Sequence, residues 1–301
     1  MTFIMRPKPP FDFERSAQMH SRFKNSLPDL YENGVYMRVL HTNMRPVLVS
    51  VSSQGTTRRP KLLVDAYPPV KRNTEVASLR HVLRSMFGPT FDFDHFYTIA
   101  KKDAIMKTIA KKLRGLRPIR PPTIFESIVI AITEQQISLH AAAAIRSRLI
   151  QKYGSTVTRD QGIFYGFPTP ESLARAKPAG LRKVGLSATK ARCINEFSKK
   201  IASDEFNLER LTQMDDDRVV EELTKFRGIG KWTAEYALVR GMGRVNSLPA
   251  DDLGIRKAVS RAYFNGKEVS AEKVRTTLTE KFAPYSGIAA FYLMYYLFWE
   301  Q

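Results

Sequence analysis

The sequence predicts an α+β protein in which a small N-terminal antiparallel sheet domain precedes an all-helical body. Two patterns carry this expectation. Apolar and polar residues alternate in strand fashion between residues 35 and 66, and apolar residues recur at helical spacing from Thr123 onward. The chain has 301 residues, of which 43% are hydrophobic, so it is long enough to bury more than one core. We therefore expect a folded protein of several domains.

The first domain, residues 1–98, is expected to contain strands and a helix. Strand-like alternation follows Pro46, and turn-forming residues surround Gly55. We see no residue in this domain that indicates chemistry. The predicted elements are strands over 34–40, 47–52 and 61–66 and a helix over 75–86.

Residues 99–122 are predicted to form a basic helix and a proline-rich linker. The segment 99–120 has eight Lys and Arg residues and one acidic residue, Asp103. Pro118, Pro121 and Pro122 then end the helix and mark a boundary. Such a run is as often a solvated helix face as a binding surface, and both interpretations stay open.

The helical body is predicted to comprise residues 123–247 and residues 248–301. Ser138 and Thr169 are placed to cap helices, with Pro170 in a first turn. The apolar stretch 285–299 is shorter than the roughly 20 residues that a membrane span needs, so we expect a buried core helix there. The first helix presents one apolar face, formed by Phe125, Ile128, Val129 and Ile132.

The charge balance indicates a polyanionic partner. The chain has 48 Lys and Arg residues against 29 Asp and Glu residues, which gives a net charge of +19 and a pI near 10.0. Nucleic acid is the first candidate and an anionic membrane the second. The single cysteine, Cys193, excludes a disulfide framework, a cysteine-rich zinc site and a four-cysteine iron–sulfur cluster, and it fits a reducing intracellular compartment.

One segment, residues 223–234, has the pattern of a helix, a Gly-x-Gly turn and a second helix. Gly228 and Gly230 allow a sharp turn and a close approach of a ligand to the backbone. The second helix begins with unpaired N–H groups, which favour a phosphate, and basic residues flank the turn. An ordinary helical hairpin remains the alternative. A nucleotide-binding loop is excluded, because Trp232 stands where that loop needs Ser or Thr.

Two acidic residues, Asp251 and Asp252, precede a further helix that is predicted to end near Tyr263. The common role of such an acid is to cap the helix. The same N–H groups also favour the charged carboxylate. A carboxylate held in this way can stabilise a developing positive charge, such as that of an oxocarbenium-like sugar.

These motifs together resemble a known family. The segment 228–236, followed about twenty residues later by 248–252, is similar to the helix–hairpin–helix (HhH-GPD) superfamily of DNA glycosylases. The resemblance is closest to the 3-methyladenine DNA glycosylase II branch, which is AlkA-like. Matches at 125–142, 167–173 and 185–191 follow in the same order, so the resemblance covers residues 123–299 by motif and the first hundred residues by architecture.

The resemblance implies a fold and an activity. The helical body is expected to have two helical subdomains with the active-site cleft between them. The expected activity is that of a monofunctional DNA glycosylase in base excision repair, which hydrolyses the N-glycosidic bond of alkylated purines flipped out of duplex DNA. The alternatives are a glycosylase of the same superfamily for 8-oxoguanine, hypoxanthine or a deaminated base, and a non-catalytic DNA-binding protein that retains the hairpin.

The resemblance also assigns the catalytic acid. The essential aspartate of the superfamily precedes a hydrophobic residue three positions later, which favours Asp252, followed by Ile255, over Asp251, followed by Gly254. Members that also cleave the strand have a lysine two residues after the second hairpin glycine, as a Schiff-base nucleophile. Here Trp232 has that place, and Lys231 lies about 100° around the helix. We therefore expect no lyase activity and a water nucleophile.

Other roles follow from the same resemblance. The base pocket is expected to contain Trp232, Tyr236 and Phe291, although aromatic residues at helical spacing are as often core residues. The turn at Gln136 and Ile137 is expected to enter the DNA as a wedge, the alternative being a simple helix connection. The hairpin that binds DNA is expected to comprise Arg227, Gly228, Ile229, Gly230, Lys231 and Thr233.

No cofactor is expected to be required. The resemblance implies that the backbone carbonyls of Thr224, Phe226 and Ile229 can hold a monovalent cation at the hairpin. The expected partner is damaged double-stranded DNA, with no membrane, and the protein is expected to be a monomer. The expected location is the cytoplasm with its nucleoid, or the nucleus in a eukaryote.

Overall fold

The computed structural model describes residues 1–19, 26–88 and 91–299. Its N-terminal part contains an antiparallel sheet of five strands in the order β1-β5-β4-β3-β2. The three predicted strands are confirmed as β3, β4 and β5, whereas β1 and β2 are short edge strands that the alternation of residues did not reveal. The strands are β1 (Thr2–Met5), β2 (Leu30–Glu32), β3 (Val35–His41), β4 (Pro46–Ser53) and β5 (Leu62–Tyr67).

Two helices cover one face of this sheet. They are α1 (Phe13–Gln18) and α2 (Asn73–Phe87), and the latter confirms the helix predicted over 75–86. Side chains of β3, β4 and β5 that point to this face, such as Tyr36, form a core with Phe87. Along β5, buried and half-buried residues alternate, as burial of one face of the sheet requires, whereas Val39 on β3 and Leu48 on β4 point to the other face and are buried as well.

The rest of the chain is mostly helical, as predicted. A small hairpin of two strands, β6 (Thr156–Arg159) and β7 (Gly162–Tyr165), interrupts it. The helices are α3 (Phe93–Ala100), α4 (Ala104–Lys112), α5 (Ile124–Glu134), α6 (Leu139–Tyr153), α7 (Pro170–Arg175), α8 (Pro178–Arg182), α9 (Ala188–Ala202), α10 (Asp216–Thr224), α11 (Lys231–Tyr236), α12 (Leu253–Tyr263), α13 (Ala271–Phe282) and α14 (Ser286–Trp299), with a 3₁₀ segment at Leu208–Gln213 and a π-helical segment at Ala237–Met242.

Side-chain caps fix several helix starts where the sequence placed them. Ser138 and Thr169 accept backbone N–H bonds at the starts of α6 and α7, as predicted. The basic segment 99–120 does not form one helix. It contains the end of α3 and all of α4, because Asp103 caps a new helix by accepting the N–H of Met106 at 2.9 Å.

The helical body has two hydrophobic cores. The first is built mainly from residues of α5, α6, α9, α10 and α11. The second joins α3 and α4 to α12, α13 and α14, so residue 98 lies inside a helix that packs with the C-terminal helices. The predicted core helix over 285–299 is confirmed as α14. Among the described residues, no helix combines the length and apolar character that crossing a bilayer requires.

A buried ion-pair network joins the sheet domain to the helical body. Arg38 on β3 bonds Asp29 at 2.6 Å and also bonds Glu126 on α5, and both Arg38 and Glu126 are buried. Asp29 and Glu126 both favour the charged guanidinium and keep the pKa of Arg38 well above its usual range despite burial. Because breaking a buried pair leaves an uncompensated charge, this network fixes the sheet against the first helix of the body.

Candidate active site

Asp252 caps the first turn of α12 and belongs to the second core's side of the molecule. Its Oδ1 accepts the backbone N–H groups of Gly254 at 2.8 Å and Ile255 at 3.0 Å. Both bonds fix the orientation of the carboxyl group at the start of the helix. The capping role and the predicted chemical role therefore use the same carboxyl group, with Oδ1 bonded to the helix and Oδ2 directed away from it.

The second carboxylate oxygen of Asp252, Oδ2, faces the first core. Asp252 Oδ2 accepts the indole N–H of Trp232 on α11 at 3.2 Å, across twenty residues of chain. Trp232 and Asp252 are both half-buried, and the neighbouring Asp251 is exposed. This bond spans the boundary between the two helical cores.

Tyr236 lies one turn after Trp232 on α11, with ring centroids 5.6 Å apart and planes inclined by 46°. Burial, followed by the negative charge of Glu134, raises the pKa of Tyr236, so its hydroxyl stays protonated. The two half-buried rings and Asp252 thus form one continuous group of aromatic and acidic side chains between the cores.

The hairpin between α10 and α11 depends on two glycines with different roles. Gly228 has φ +99°, and a Cβ there would lie 2.9 Å from the Cβ and Sγ of Cys193. Gly230 precedes α11, which has no side-chain cap, and a Cβ at Gly230 would meet nothing within 4 Å. The first glycine is needed for packing, and the second leaves an open helix end.

Some side chains of the hairpin are exposed and others are buried in the protein. Arg227 and Lys231 are exposed, whereas Ile229 is buried. Thr233 is fully buried, and its hydroxyl accepts the side-chain N–H of Gln135 at 2.9 Å, so this side chain faces the protein interior. Lys231 is directed along its helix toward Glu235, with 4.0 Å between Nζ and Oε1.

The predicted wedge is an exposed turn between α5 and α6. Gln136 has a left-handed φ of +55°, and Ile137 is 39% exposed. The preceding residue, Gln135, connects this turn to the hairpin, because its side-chain amide also donates to the Gly228 carbonyl at 3.0 Å. Lys190 on α9 supports the turn by donating to the carbonyls of Thr133 and Gln135 at 3.1 and 2.6 Å.

Comparison with known proteins identifies the family. Residues 129–284, about half of the chain, match the HhH-GPD family, described as HhH-GPD superfamily base excision DNA repair protein. The chain belongs to this family. The 3-methyladenine DNA glycosylase of Archaeoglobus fulgidus has a solved structure that superimposes with a TM-score of 0.86 at 32% identity, covering 98% of each chain. The resemblance and the fold class expected from the motifs are confirmed.

Further relatives extend this comparison. The DNA-3-methyladenine glycosylase of Bacillus subtilis is 27% identical over 284 residues, 94% of this chain and 93% of that protein. An 8-oxoguanine glycosylase/lyase from Clostridium acetobutylicum superimposes with a TM-score of 0.76 at 22% identity, covering 98% of this chain and 96% of that chain, and this likeness concerns the fold alone. The likeness in fold therefore extends over the sheet domain as well as the helices.

The structure places Phe291 differently from Trp232 and Tyr236. Its ring lies 6.1 Å from Tyr292 and 6.3 Å from Tyr295, beside the second core. Tyr292 is fully buried. Another α14 side chain, Met294, lies near the start of α12, where its Sδ would be 3.3 Å from a Cβ added at Gly254. The sequence alone does not select Met294, since every α14 residue after Ser286 is apolar or aromatic and the spacing of these residues does not distinguish one from another.

Clusters of metal-ligating side chains and cavities are two further features that can mark a site. Throughout residues 1–19, 26–88 and 91–299, no group of three or more His, Cys, Asp and Glu side chains could hold a metal ion. Two cavities of about 400 and 410 Å³ lie elsewhere, one between β1 and α2 and one beside Gly185. The contacts described above define the candidate site as the group formed by Asp252, Trp232 and Tyr236 together with the hairpin and the wedge turn.

Proposed function

We propose that this protein is a monofunctional DNA glycosylase of base excision repair that hydrolyses the N-glycosidic bond of alkylated purines, of the 3-methyladenine type, flipped out of duplex DNA. The observation that carries the proposal is the carboxylate of Asp252, anchored by two backbone N–H groups through one oxygen and held toward Trp232 through the other. A carboxylate fixed in this way is preorganised for a developing positive charge and needs little rearrangement during the reaction.

DNA binding has two parts in this proposal: the net charge attracts the duplex, and one phosphate contact then fixes the position of the strand. A protein with a net charge of +19 attracts duplex DNA through release of counterions. The uncapped start of α11, with Arg227 and Lys231 exposed beside it, offers N–H groups and positive charge to one backbone phosphate. This contact fixes the position of the strand without reading its sequence.

Extrusion of the damaged nucleotide is assigned to the wedge turn. Ile137 is an exposed apolar side chain at the tip of a turn, which suits insertion between base steps in the minor groove. Because Gln135 bonds both the hairpin carbonyl of Gly228 and the hydroxyl of Thr233, the wedge and the phosphate site are held at a fixed separation. The flipped base then enters beside Trp232 and Tyr236.

Cleavage of the glycosidic bond depends more on stabilising the positive charge that develops on the sugar than on protonating the leaving base. As the glycosidic bond breaks, Asp252 stabilises the oxocarbenium-like sugar, and a water completes the hydrolysis. An N-alkylated purine carries a positive charge and leaves as a neutral base, so no strong general acid is needed. The electron-rich faces of Trp232 and Tyr236 favour a cationic base over a neutral one.

Covalent lyase chemistry is not part of the proposal. A Schiff base requires an amine near the sugar carbon. The position next to Asp252 is taken by Trp232, and the Lys231 ammonium is exposed and directed toward Glu235. No trapped adduct is therefore expected when borohydride is added during base excision on alkylated DNA.

The relatives narrow the substrate class. The proteins of Archaeoglobus fulgidus and Bacillus subtilis described above are named as 3-methyladenine glycosylases, and they resemble this chain over nearly its whole length. The alternative of 8-oxoguanine has support only from fold likeness at 22% identity. We further propose that the protein acts as a monomer on damaged double-stranded DNA, in the nucleoid of a prokaryotic cytoplasm or in a eukaryotic nucleus.

The hairpin also suits a monovalent cation. Backbone carbonyls of Thr224, Phe226 and Ile229 are neutral oxygen ligands of the kind that such a cation takes, and the cation would supply positive charge between the hairpin and a phosphate. Phe226 O also accepts the N–H of Ile229 at 3.0 Å, which fixes the hairpin and leaves the oxygen a second lone pair. No cofactor is proposed for the cleavage step.

The decisive experiment replaces Asp252 by Asn and uses Asp251→Asn as the matched control. Single-turnover excision from alkylated duplex DNA should fall at least about a hundredfold for Asp252→Asn, because the charge that stabilises the sugar is lost. Affinity for undamaged duplex should persist, and Asp251→Asn should stay within about twofold of the wild type. Undiminished excision by Asp252→Asn would refute the proposal.

A further inference from the structure

A cluster of three charged side chains connects α11 to α13. At its centre is Glu235 of α11, which is 5% exposed. Its Oε1 accepts a hydrogen bond from Arg275 Nη2 of α13 at 2.8 Å and lies 4.0 Å from Lys231 Nζ. Because both distances are measured to one oxygen, the guanidinium and the ammonium are neighbours. One buried carboxylate thus holds two cationic groups side by side.

The pairing of Glu235 with Arg275 is incomplete on both sides. A bidentate arginine–carboxylate pair uses both oxygens and two nitrogens. Here one nitrogen bonds one oxygen, and within residues 1–19, 26–88 and 91–299 Glu235 Oε2 is the one buried carboxylate oxygen without a hydrogen-bond partner. The other N–H groups of Arg275 bond no described residue, and its side chain is 38% exposed. Arg275 therefore has donors that a ligand at the surface can use.

A second pair of a buried glutamate and an exposed arginine shows the contrast. Glu75 is buried and lies 3.3 Å from Nε of Arg45, whose side chain is 39% exposed. There the hydroxyl of Thr42 donates to the same glutamate oxygen at 3.1 Å, and Arg45 Nη2 donates to the carbonyl of Pro69 at 2.9 Å. The protein itself thus completes that pair. The cluster around Glu235 has a second cation in place of such bonds, and an anion would complete it.

The cluster lies beside the boundary between the two helical cores. Lys231 directly precedes Trp232, whose indole bonds Asp252 across that boundary. Arg275 belongs to α13, which packs in the second core through its neighbour Val274. With two cations and one carboxylate, the cluster has a net positive charge, and a guanidinium matches the geometry of a phosphate. A DNA phosphate is therefore the anion that suits this position.

We propose that Arg275 binds a second backbone phosphate of the DNA strand, next to the phosphate that Lys231 contacts, and that Glu235 is the positioning residue that holds both cations. This inference rests on the proposed function, because it places the strand at the start of α11. One phosphate contact fixes a single point of the strand. Two neighbouring contacts, one from each helical core, also fix its direction across the boundary where the damaged nucleotide enters.

The test removes the cation without changing the net charge of the protein. The double variant Glu235→Gln with Arg275→Met loses one acidic and one basic group, so the net charge stays at +19 and no carboxylate is left buried without its arginine. The matched control is Glu221→Gln with Arg218→Met, which removes an exposed pair with the same 2.8 Å distance from α10. Affinity for undamaged duplex is measured over a series of salt concentrations, together with melting temperature and single-turnover excision from alkylated duplex.

We expect the slope of log affinity against log salt to become shallower by about 0.9 in the variant of Glu235 and Arg275, the contribution of one phosphate contact. Affinity at fixed salt should fall about tenfold, the loss of one charge-assisted hydrogen bond. The control should keep the wild-type slope. If the double variant melts below the control, Arg275→Gln, whose amide can still donate to Glu235, is compared with Arg218→Gln, and the same change of slope is expected.

The outcomes separate this inference from the proposed function. An unchanged slope in the folded variant overturns the inference, and so does an equal change in the control. Wild-type excision that Asp252→Asn abolishes leaves the proposed function intact in either case. A wild-type protein without excision would refute the proposed function, whereas the salt slopes would still decide whether Arg275 binds a phosphate.

Discussion

Two hairpins of this molecule share one local design and differ at the residue that precedes the second helix. The first, residues 183–187, connects α8 to α9, and the second, which is one residue longer and comprises residues 225–230, connects α10 to α11. Each has a glycine with positive φ, Gly185 at +106° and Gly228 at +99°, followed by a buried aliphatic residue and then by a helix. Both glycines lie against side chains beneath them.

The difference lies at the last residue of each hairpin. Ser187 caps α9 by accepting the N–H of Lys190 at 3.3 Å, whereas Gly230 gives α11 no side-chain cap. The first helix end is thus satisfied within the protein, and the second is open to a ligand. The helix that follows the first hairpin, α9, instead supports the wedge turn through Lys190. The same backbone design therefore helps to support the wedge turn at the first hairpin and, in our proposal, binds a phosphate at the second.

The largest effect that we expect concerns the rate of alkylation of Cys193, whose thiol lies beneath the second hairpin. Burial raises the pKa of Cys193 to about 12, so the reactive thiolate is scarce at pH 8 while the hairpin stays closed. Alkylation of the native protein at pH 8 should be more than a thousandfold slower than alkylation of the protein unfolded in guanidinium. Kinetics of thiol labelling measure this, and fast labelling of the native protein would show that the hairpin opens.

Replacing either packed glycine tests the shared design. Gly228→Ala and Gly185→Ala should each lower the free energy of unfolding by about 2–4 kcal/mol, because a left-handed backbone and a close contact both oppose the new Cβ. Urea unfolding measures the change. If only one of the two variants were destabilised, the hairpins would not share the design that we describe.

Replacing the open glycine tests the difference. Gly230→Ser should cap α11 and raise stability by a few tenths of a kcal/mol, since the space around its Cβ is free. It should weaken duplex binding about tenfold, because the hydroxyl occupies N–H groups that a phosphate would use. Ser187→Gly is the control and should leave DNA affinity within about twofold. Equal affinities for the wild type and Gly230→Ser, measured at fixed salt, would contradict the assignment of the phosphate site.

Much of the site could be predicted from the sequence because its rules are local. The glycines of the hairpin, the N-cap position of Asp252 and the exposed turn at Gln136 all follow from short-range backbone requirements. Short-range rules could not predict the surroundings of Phe291 or whether residues 99–120 form a single helix. Which side of α14 faces α12, and where Asp103 interrupts the basic segment, depend on packing of the second core.

The sequence by itself determined the net charge, the order of sheet and helices, and the residues whose backbone and capping chemistry are fixed within a few positions. Tertiary structure decided which distant groups meet. The bond between Trp232 and Asp252 arises only when the two helical cores pack side by side, and the bonds from Gln135 to Gly228 and Thr233 arise only when the end of α5 packs against the hairpin. Propensity and capping act within one turn of chain, whereas these contacts follow from burial of apolar surface across the whole helical body.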